Sequence, residues 1–218
     1  MSRHIVLTRC NETESQFEWL KDFVDNTSWT IYNKGNTPFG LPAQARPNVG
    51  RDGECQIWHI YNNYDNLPDE LMLLQPRFDD HLDWVAWQGA FKKPTPNKLP
   101  DRILNHDYDS NELQFFSVPL IEWWCPNDVS KHNMQTGIAQ EDLTQLNELV
   151  KSNYKLTDTW CWRFGGGMMY SVPKRLIVNK SKDWWRRCYE FYMSYPGPDH
   201  HCYIFERCYL DLFNYSEY

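Results

Sequence analysis

Three groups of residues in this chain have the types and spacing to do chemistry. Arg9, Asn11, Asn33, Lys34 and Arg51 stand at the ends of short apolar runs or at a helix start. Guanidinium forks, ammonium groups and the unpaired N–H groups of a helix start suit the oxygens of a diphosphate. Against this, a lone Arg or Lys in a loop is most often a solvated surface charge, and Asn33-Lys34-Gly35 also makes an ordinary turn. Carboxylates gather at Asp79-Asp80 with His81 and Asp83, at Asp107-Tyr-Asp109, and at Asp199, His200, His201 and Glu206. Mg2+ and Mn2+ need such oxygens on a fixed loop, often beside substrate phosphates, and only the first cluster follows a predicted strand. Trp84, Trp87, Trp123, Trp124, Trp160 and Trp162 fall in segments of weak periodicity. Indole faces suit the C–H faces of sugars, with core packing as the competing role. Cys55 and His59, four apart on a predicted helix, are half of a zinc site; without a second ligand pair, a half-buried Cys and an exposed His are expected. No Gly-x-x-x-x-Gly-Lys loop, Gly-x-Ser-x-Gly elbow or His-Glu-x-x-His pair occurs.

The elements that must position these residues begin with a strand from His4 to Arg9 and a helix from Gln16 to about Asp25, with Phe17, Leu20, Phe23 and Val24 on one side. A strand from Trp29 to Lys34 and a loop from Gly35 to Pro47 follow. Asn48 then caps a helix running to about Tyr64, whose Ile57, Ile60, Tyr61 and Tyr64 share one face. After Asn66-Leu-Pro-Asp69 comes a strand from Glu70 to Gln75. This β-α-β-α-β order predicts a mostly parallel sheet flanked by helices, with a ligand at the strand carboxyl ends: Arg9 to Glu12, Asn33 to Gly35, and Gln75 to His81.

The stretch from Asp83 to Asn133 is loop-rich, with one strand predicted from Leu113 to Val118. Helices are predicted from about Ala139 to Ser152, from a Ser181 cap to about Tyr195, and from about Cys202 to Phe213. The inward residues include Leu143, Leu146, Leu149 and Val150, then Trp185, Cys188 and Tyr192, then Phe205, Cys208 and Leu212. Three adjacent glycines, Gly165 to Gly167, allow another group to approach closely. No repeat or linker interrupts the chain, so one domain over 1–218 is expected.

The 218 residues carry 22 Lys and Arg against 29 Asp and Glu, a net charge of −7. That acidity, with a pI near 5.5, argues against general binding to nucleic acid or anionic membranes. Mean hydropathy is −0.71 and no apolar run approaches a membrane span, so a soluble chain without a signal peptide is expected. Eleven Trp, 13 Tyr and 11 Phe supply the burial that rules out a disordered chain. Seven cysteines, an odd number with no Cys-x-x-Cys pair, read as reduced thiols in an intracellular, cytoplasmic setting.

Distinct motifs follow one another along the chain: Thr8-Arg-Cys-Asn-Glu12 with Trp19-Leu20, Ile31-Tyr-Asn-Lys-Gly35, and Pro47-Asn-Val-Gly-Arg51. Next come Asn63-Tyr-Asp-Asn-Leu-Pro-Asp69 before Leu73-Leu-Gln75, Phe164-Gly-Gly-Gly167, and Phe205-Glu-Arg207 before Leu212-Phe213. Together they resemble a fungal-type domain family of unknown function related to nucleotide-sugar glycosyltransferases of the GT-A fold. The resemblance implies an α/β domain whose first half, about 1–80, holds a UDP- or GDP-linked sugar and whose second half, about 81–218, receives a glycan or other hydroxyl acceptor. Carried over onto this chain, Arg9, Asn11, Asn33, Lys34, Asn48, Arg51 and Gln75 would bind the donor. Trp84, Trp87, Phe164, Gly165, Gly166 and Gly167 would meet the acceptor. Glu206 would be the base of an inverting displacement, with Asp199 or Asp80 as substitutes.

The sequence departs from that family pattern at Gln75, where metal-dependent members continue into Asp-x-Asp. Either Asp79 and Asp80 serve a few residues late with His200 or His201, binding Mn2+ or Mg2+, or Lys34, Arg51 and Arg77 neutralise the leaving diphosphate. The first version is preferred, because two phosphates otherwise lean on few cations in an acidic protein. A catalytically inactive carbohydrate-binding domain on the same fold is the alternative function, and a glycoside hydrolase ranks third.

Overall fold

Two strands with unbroken apolar runs decide the layering, because a strand buried on both faces has no reason to alternate with polar residues. These are β1, Arg3–Arg9, where Ile5, Val6 and Leu7 are fully buried, and β4, Glu70–Leu74, buried throughout. The computed structural model describes residues 1–23, 27–77, 113–116, 121–124, 140–150, 161–164 and 168–194, together with Cys202, Phe205, Leu212 and Phe213. Within these, β2 (Thr27–Asn33) and β4 flank β1 in parallel, with Leu7 opposite Ile31 on one side and Leu74 on the other. A two-residue strand β3, Gln44–Ala45, extends the parallel part beyond β2. On the other side β8, Tyr170–Pro173, runs antiparallel to both β4 and β5, Gln114–Phe115. The sheet order is β3-β2-β1-β4-β8-β5.

The chain is therefore α/β, with a mixed sheet flanked by helices in place of the mostly parallel sheet expected. Apolar alternation reports which faces are buried and carries no sign for strand direction, and β8 meets β4 from about a hundred residues away in sequence. A separate two-stranded antiparallel sheet joins β6, Ile121–Trp124, to β7, Cys161–Phe164, with Trp123 opposite Trp162.

Successive residues sort to opposite faces of the main sheet. Val6, Tyr32, Leu71, Leu73, Tyr170 and Val172 face one cluster. There they meet Ile57 and Ile60 of α1 (Arg51–Asn62), Leu146 of α2 (Gln140–Val150), Ile177 of α3 (Lys174–Val178), and Trp185 and Tyr192 of α4 (Lys182–Ser194). Ile5, Leu7, Ile31, Met72, Leu74 and Met169 face the other cluster, closed by Phe17 and Trp19. Each fully buried Leu or Ile contributes about 1.5–3 kcal/mol of burial free energy. The helix expected from Gln16 is a 3₁₀ helix, Glu14–Asp22. Its three-residue turn lines up Phe17, Leu20 and Phe23, the same threefold spacing that suggested an α-helix. Val24 lies outside the described residues.

Ser181 caps α4 as expected, its Oγ accepting the Trp184 N–H at 3.1 Å. Cys202, Phe205, Leu212 and Phe213 are helical and buried, in keeping with a last helix there; Cys208 lies outside the described residues. Of the strand expected from Leu113, Gln114 and Phe115 are in β5. Among the described residues no helix is long and apolar enough to cross a membrane.

Candidate functional site

The connection leaving β1 passes over one face through the 3₁₀ helix to β2, while α1, leading into β4, covers the other. The order therefore reverses between β1 and β4. In open α/β sheets that reversal leaves a crevice at the strand carboxyl ends, where ligands bind. Three segments meet there: Arg9 to Glu12 after β1, Gln75 to Arg77 after β4, and Gly50 to Asp52 at the start of α1.

Arg9 ties the strand ends together. Its Nε donates to the Glu12 carbonyl at 2.9 Å, and Nη1 donates to Asn33 Oδ1 at 2.9 Å and the Thr37 carbonyl at 3.1 Å. Nη2 donates to the Thr37 hydroxyl, and the guanidinium lies 4.6 Å over the Phe39 ring. Gly35 is required beside it, since a Cβ there would stand 1.7 Å from the Cys10 carbonyl oxygen. Asn33 Oδ1 also accepts the Gly35 N–H at 3.0 Å.

Lys34 is buried, and its ammonium is fully used. It donates to the carbonyls of Val49 and, at 2.7 Å, Arg51, and it pairs with Glu54 Oε2 at 2.8 Å. Arg46 pairs with the other Glu54 oxygen, donates to the Tyr189 hydroxyl at 2.8 Å, and stacks 4.1 Å over Trp58. Two cations thus enclose one buried carboxylate. Burial would raise the Glu54 carboxyl, but Lys34 and Arg46 outweigh it and hold Glu54 below the ordinary carboxylate range.

This triad explains how α1 begins. Asn48 was expected as N-cap; the cap is Gly50, at φ 65°, with no side-chain cap bond, and Asn48 is exposed. Arg51 also takes a positive φ, 46°, unusual for a residue with a Cβ. Lys34 holds the carbonyls on both sides of Gly50, and Tyr192 donates its hydroxyl to the Gly50 carbonyl at 2.7 Å. Tertiary contacts replace the local cap. The first helical bond, Glu54 N–H to the Gly50 carbonyl at 3.2 Å, leaves the N–H groups of Arg51, Asp52 and Gly53 outside the helical ladder.

Asp52 is the acid of the crevice. Its Oδ2 accepts Gln75 Nε2 at 2.8 Å, joining α1 to the end of β4. Burial first, and then the Glu12 charge, raise its carboxyl to about 6 against the opposing pull of Lys34, Gln75 and Arg51. Glu12 Oε2 accepts the N–H groups of Cys10 at 2.6 Å and Asn11 at 3.0 Å, which shapes the turn after β1. Arg46, Asp52 and Glu54 were not singled out in the sequence. Acids in a first helical turn complement the macrodipole, which is reason enough for Asp52 and Glu54 to stand there, and Arg46 lies in a loop with no local signal.

The structure thus brings Arg9 beside Asn33, Lys34 beside the Arg51 backbone, and Gln75 beside Asp52, with Asn11 on the adjoining turn. Phe164 ends β7 opposite Ile121. Asp79, Asp80, Trp84, Trp87, Gly165, Gly166, Gly167, Asp199, His200, His201 and Glu206 lie outside the described residues. Among the described residues no group of three or more His, Cys, Asp and Glu could hold a metal ion.

His59 is buried, correcting the exposed imidazole expected. Its Nδ1 meets the Tyr32 hydroxyl at 3.0 Å and its ring stacks on His4 at 5.0 Å, so burial and then His4 push its pKa down to about 3. Cys55 beside it is fully buried. No family model, no curated protein and no solved structure matches this chain.

Proposed function

We propose that the chain is a glycosyltransferase of GT-A-like fold. It would move a hexosyl or pentosyl group from a UDP- or GDP-linked sugar to a hydroxyl of a glycan or other acceptor, with inversion. The observation that carries this reading is the reversal of strand order between β1 and β4, with Gln75 at the end of β4 hydrogen-bonded to Asp52 at the start of α1. The order β3-β2-β1-β4 is the arrangement that doubly wound nucleotide-binding sheets use around their switch point. The diphosphate would lie against the start of α1, with the Arg51 side chain and the N–H groups of Asp52 and Gly53 as donors. Arg9 and Lys34 serve the site as clamps that hold its loops, their donors being engaged by protein acceptors.

On this reading Glu206, or Asp199 or Asp80, takes the acceptor hydroxyl proton as that oxygen attacks the anomeric carbon and the nucleoside diphosphate departs. A divalent ion held by Asp79, Asp80 and His201 would stabilise the leaving diphosphate as a Lewis acid. Trp84, Trp87, Phe164 and the three glycines Gly165 to Gly167 would receive the acceptor. The free thiols Cys10, Cys55, Cys188 and Cys202 support a reducing compartment, the cytoplasm.

A second reading, a carbohydrate-binding domain without catalysis, is favoured by the engagement of Arg9 and Lys34 within the protein. A thermal-shift panel of UDP, GDP, CDP and their sugars, each with EDTA or Mn2+, separates the two. A ligand at a hundred times its Kd adds about 2.7 kcal/mol of stability. A shift with one nucleotide supports the transferase, and no shift with any nucleotide alongside one with free oligosaccharides supports the second reading.

A further inference from the structure

At the start of α1 the local sequence and the fold favour different things. Pro47-Asn-Val-Gly-Arg51 offers Asn48 as N-cap, with Val49, Gly50 and Arg51 as the first turn. In the structure Asn48 is exposed and the cap is Gly50. The Val49 N–H donates to the Pro47 carbonyl at 2.9 Å, and Gly50 and Arg51 both take left-handed φ, 65° and 46°. Glycine accepts that conformation and is required at position 50, since a Cβ would stand 2.6 Å from Tyr192 Cε1. Arginine disfavours it. The turn is held from outside: Lys34, after β2, donates to the carbonyls of Val49 and Arg51, and the Tyr192 hydroxyl of α4 donates to the Gly50 carbonyl at 2.7 Å. Tyr192 packs in turn on Phe205, 4.6 Å between ring centroids, so this hold is anchored in the second half of the chain. Conflicts of this kind between local preference and fold gather at functional or strained places.

The two helix starts use the same backbone groups differently. In a helix started at Asn48, the Asn48 carbonyl takes the Asp52 N–H and the Val49 carbonyl takes the Gly53 N–H, as the four-residue ladder requires. With the start at Gly50 those two N–H groups stand outside the ladder, and Lys34 holds the Val49 carbonyl instead. The bond from the Glu54 N–H to the Gly50 carbonyl is common to both. The difference is confined to residues 48–53, and the rest of α1 need not move.

We propose that residues 48–53 are a two-state switch. The Gly50 start, latched by Lys34 and Tyr192, presents the Asp52 and Gly53 N–H groups to an anion, whereas an Asn48 start lengthens α1 by two residues and withdraws them into the helix. An anion on those N–H groups binds one state only and draws the population toward it. This regulatory part rests on the reading of the α1 start as the diphosphate site and deepens it; the two helix starts rest on the backbone alone.

The test is NMR relaxation dispersion and amide exchange on the full chain, for wild type, Asn48→Ala, Tyr192→Phe and Gly50→Ala. Wild type is expected to show exchange broadening confined to residues 48–53, with helical Cα shifts for Val49, Gly50 and Arg51 in the minor state. Asn48→Ala should lower that minor population about fivefold and Tyr192→Phe should raise it about fivefold. Gly50→Ala should make the Asn48 start the major state and slow exchange of the Asp52 and Gly53 amides. Saturating UDP or GDP should quench the broadening in wild type and bind Gly50→Ala more weakly.

A single, left-handed Arg51 in both wild type and Tyr192→Phe, without dispersion, overturns the switch, and nucleotide binding to that wild type leaves the diphosphate site standing. Neither protein loses a side chain that fills the core, so this arm holds even where Gly50→Ala fails to fold. Two helix starts whose populations no nucleotide alters overturn the diphosphate site at α1 and leave the switch standing. Nucleotides that bind wild type and Gly50→Ala equally overturn the regulation.

Discussion

Glu54 is fully buried and its neighbour Lys34 nearly so, which makes Glu54→Gln the sharpest perturbation of the loops around the crevice. The substitution keeps the shape of the side chain and removes the carboxylate charge that pairs with both Lys34 and Arg46. Breaking a buried ion pair by removing one partner costs about 3–5 kcal/mol, because the remaining charge stays out of water. Here two cations remain, so the upper part of that range is expected. Lys34→Met differs: it leaves Glu54 paired with Arg46 and removes the donor to the carbonyls of Val49 and Arg51. That loss is of order 1–3 kcal/mol, the desolvation of carbonyls left without a partner. Urea denaturation followed by tryptophan fluorescence measures both. For a chain of this length 3–5 kcal/mol corresponds to a fall in Tm of roughly 6–20 °C. The reasoning fails if Glu54→Gln loses less than Lys34→Met, since the carboxylate would then not be the element that makes two buried cations tolerable.

Other expectations follow from single contacts. Gly35→Ala drives a Cβ to 1.7 Å from the Cys10 carbonyl oxygen, so a loss of about 3 kcal/mol or failure to fold is expected, read by soluble yield and the unfolding midpoint. His59 is neutral when folded, with a pKa near 3 against an ordinary 6.5. The stability this contributes is present above pH 6.5 and is lost as pH falls toward 3, so His59→Asn should flatten the acid limb of the stability profile across that window. A parallel acid limb in both proteins would contradict it. Asp52 behaves in the opposite sense: its carboxyl is raised to about 6 from 3.8, so folding is penalised as pH rises through that interval. Relative to wild type, Asp52→Asn should gain stability between pH 4 and pH 7, with Glu12, Lys34, Arg51 and Gln75 as the groups facing the change. A constant difference between the two proteins would show that Asp52 titrates as an exposed acid.

The frame of the sheet was legible because burial on both faces writes itself into composition: Ile-Val-Leu in β1 and Leu-Met-Leu-Leu in β4 fit a central strand and little else. The heptad-like spacing of Ile57, Ile60, Tyr61 and Tyr64 located α1, but its start was misplaced at Asn48. A local capping residue is visible in sequence, whereas a lysine reaching across from β2 to hold two carbonyls is not. The same limit applies to Arg9 and Lys34. Their places at the strand ends were readable; the acceptors that engage them, Thr37, Val49 and Glu54, are set by tertiary folding. His59 looked exposed because one polar residue on a helix usually is, yet the Tyr32 hydroxyl and the His4 ring make its burial tolerable. The direction of β8 and the two-stranded β6–β7 sheet depend on non-local pairing of short segments, where periodicity over four residues says little.

Hydrogen–deuterium exchange of the full chain, with and without a saturating nucleoside-diphosphate sugar, places the ligand on the fold directly. Protection confined to the peptides covering residues 9–12, 50–53 and 75–77 is the predicted result. Protection elsewhere, with those three segments unchanged, would contradict a donor site between β1 and β4.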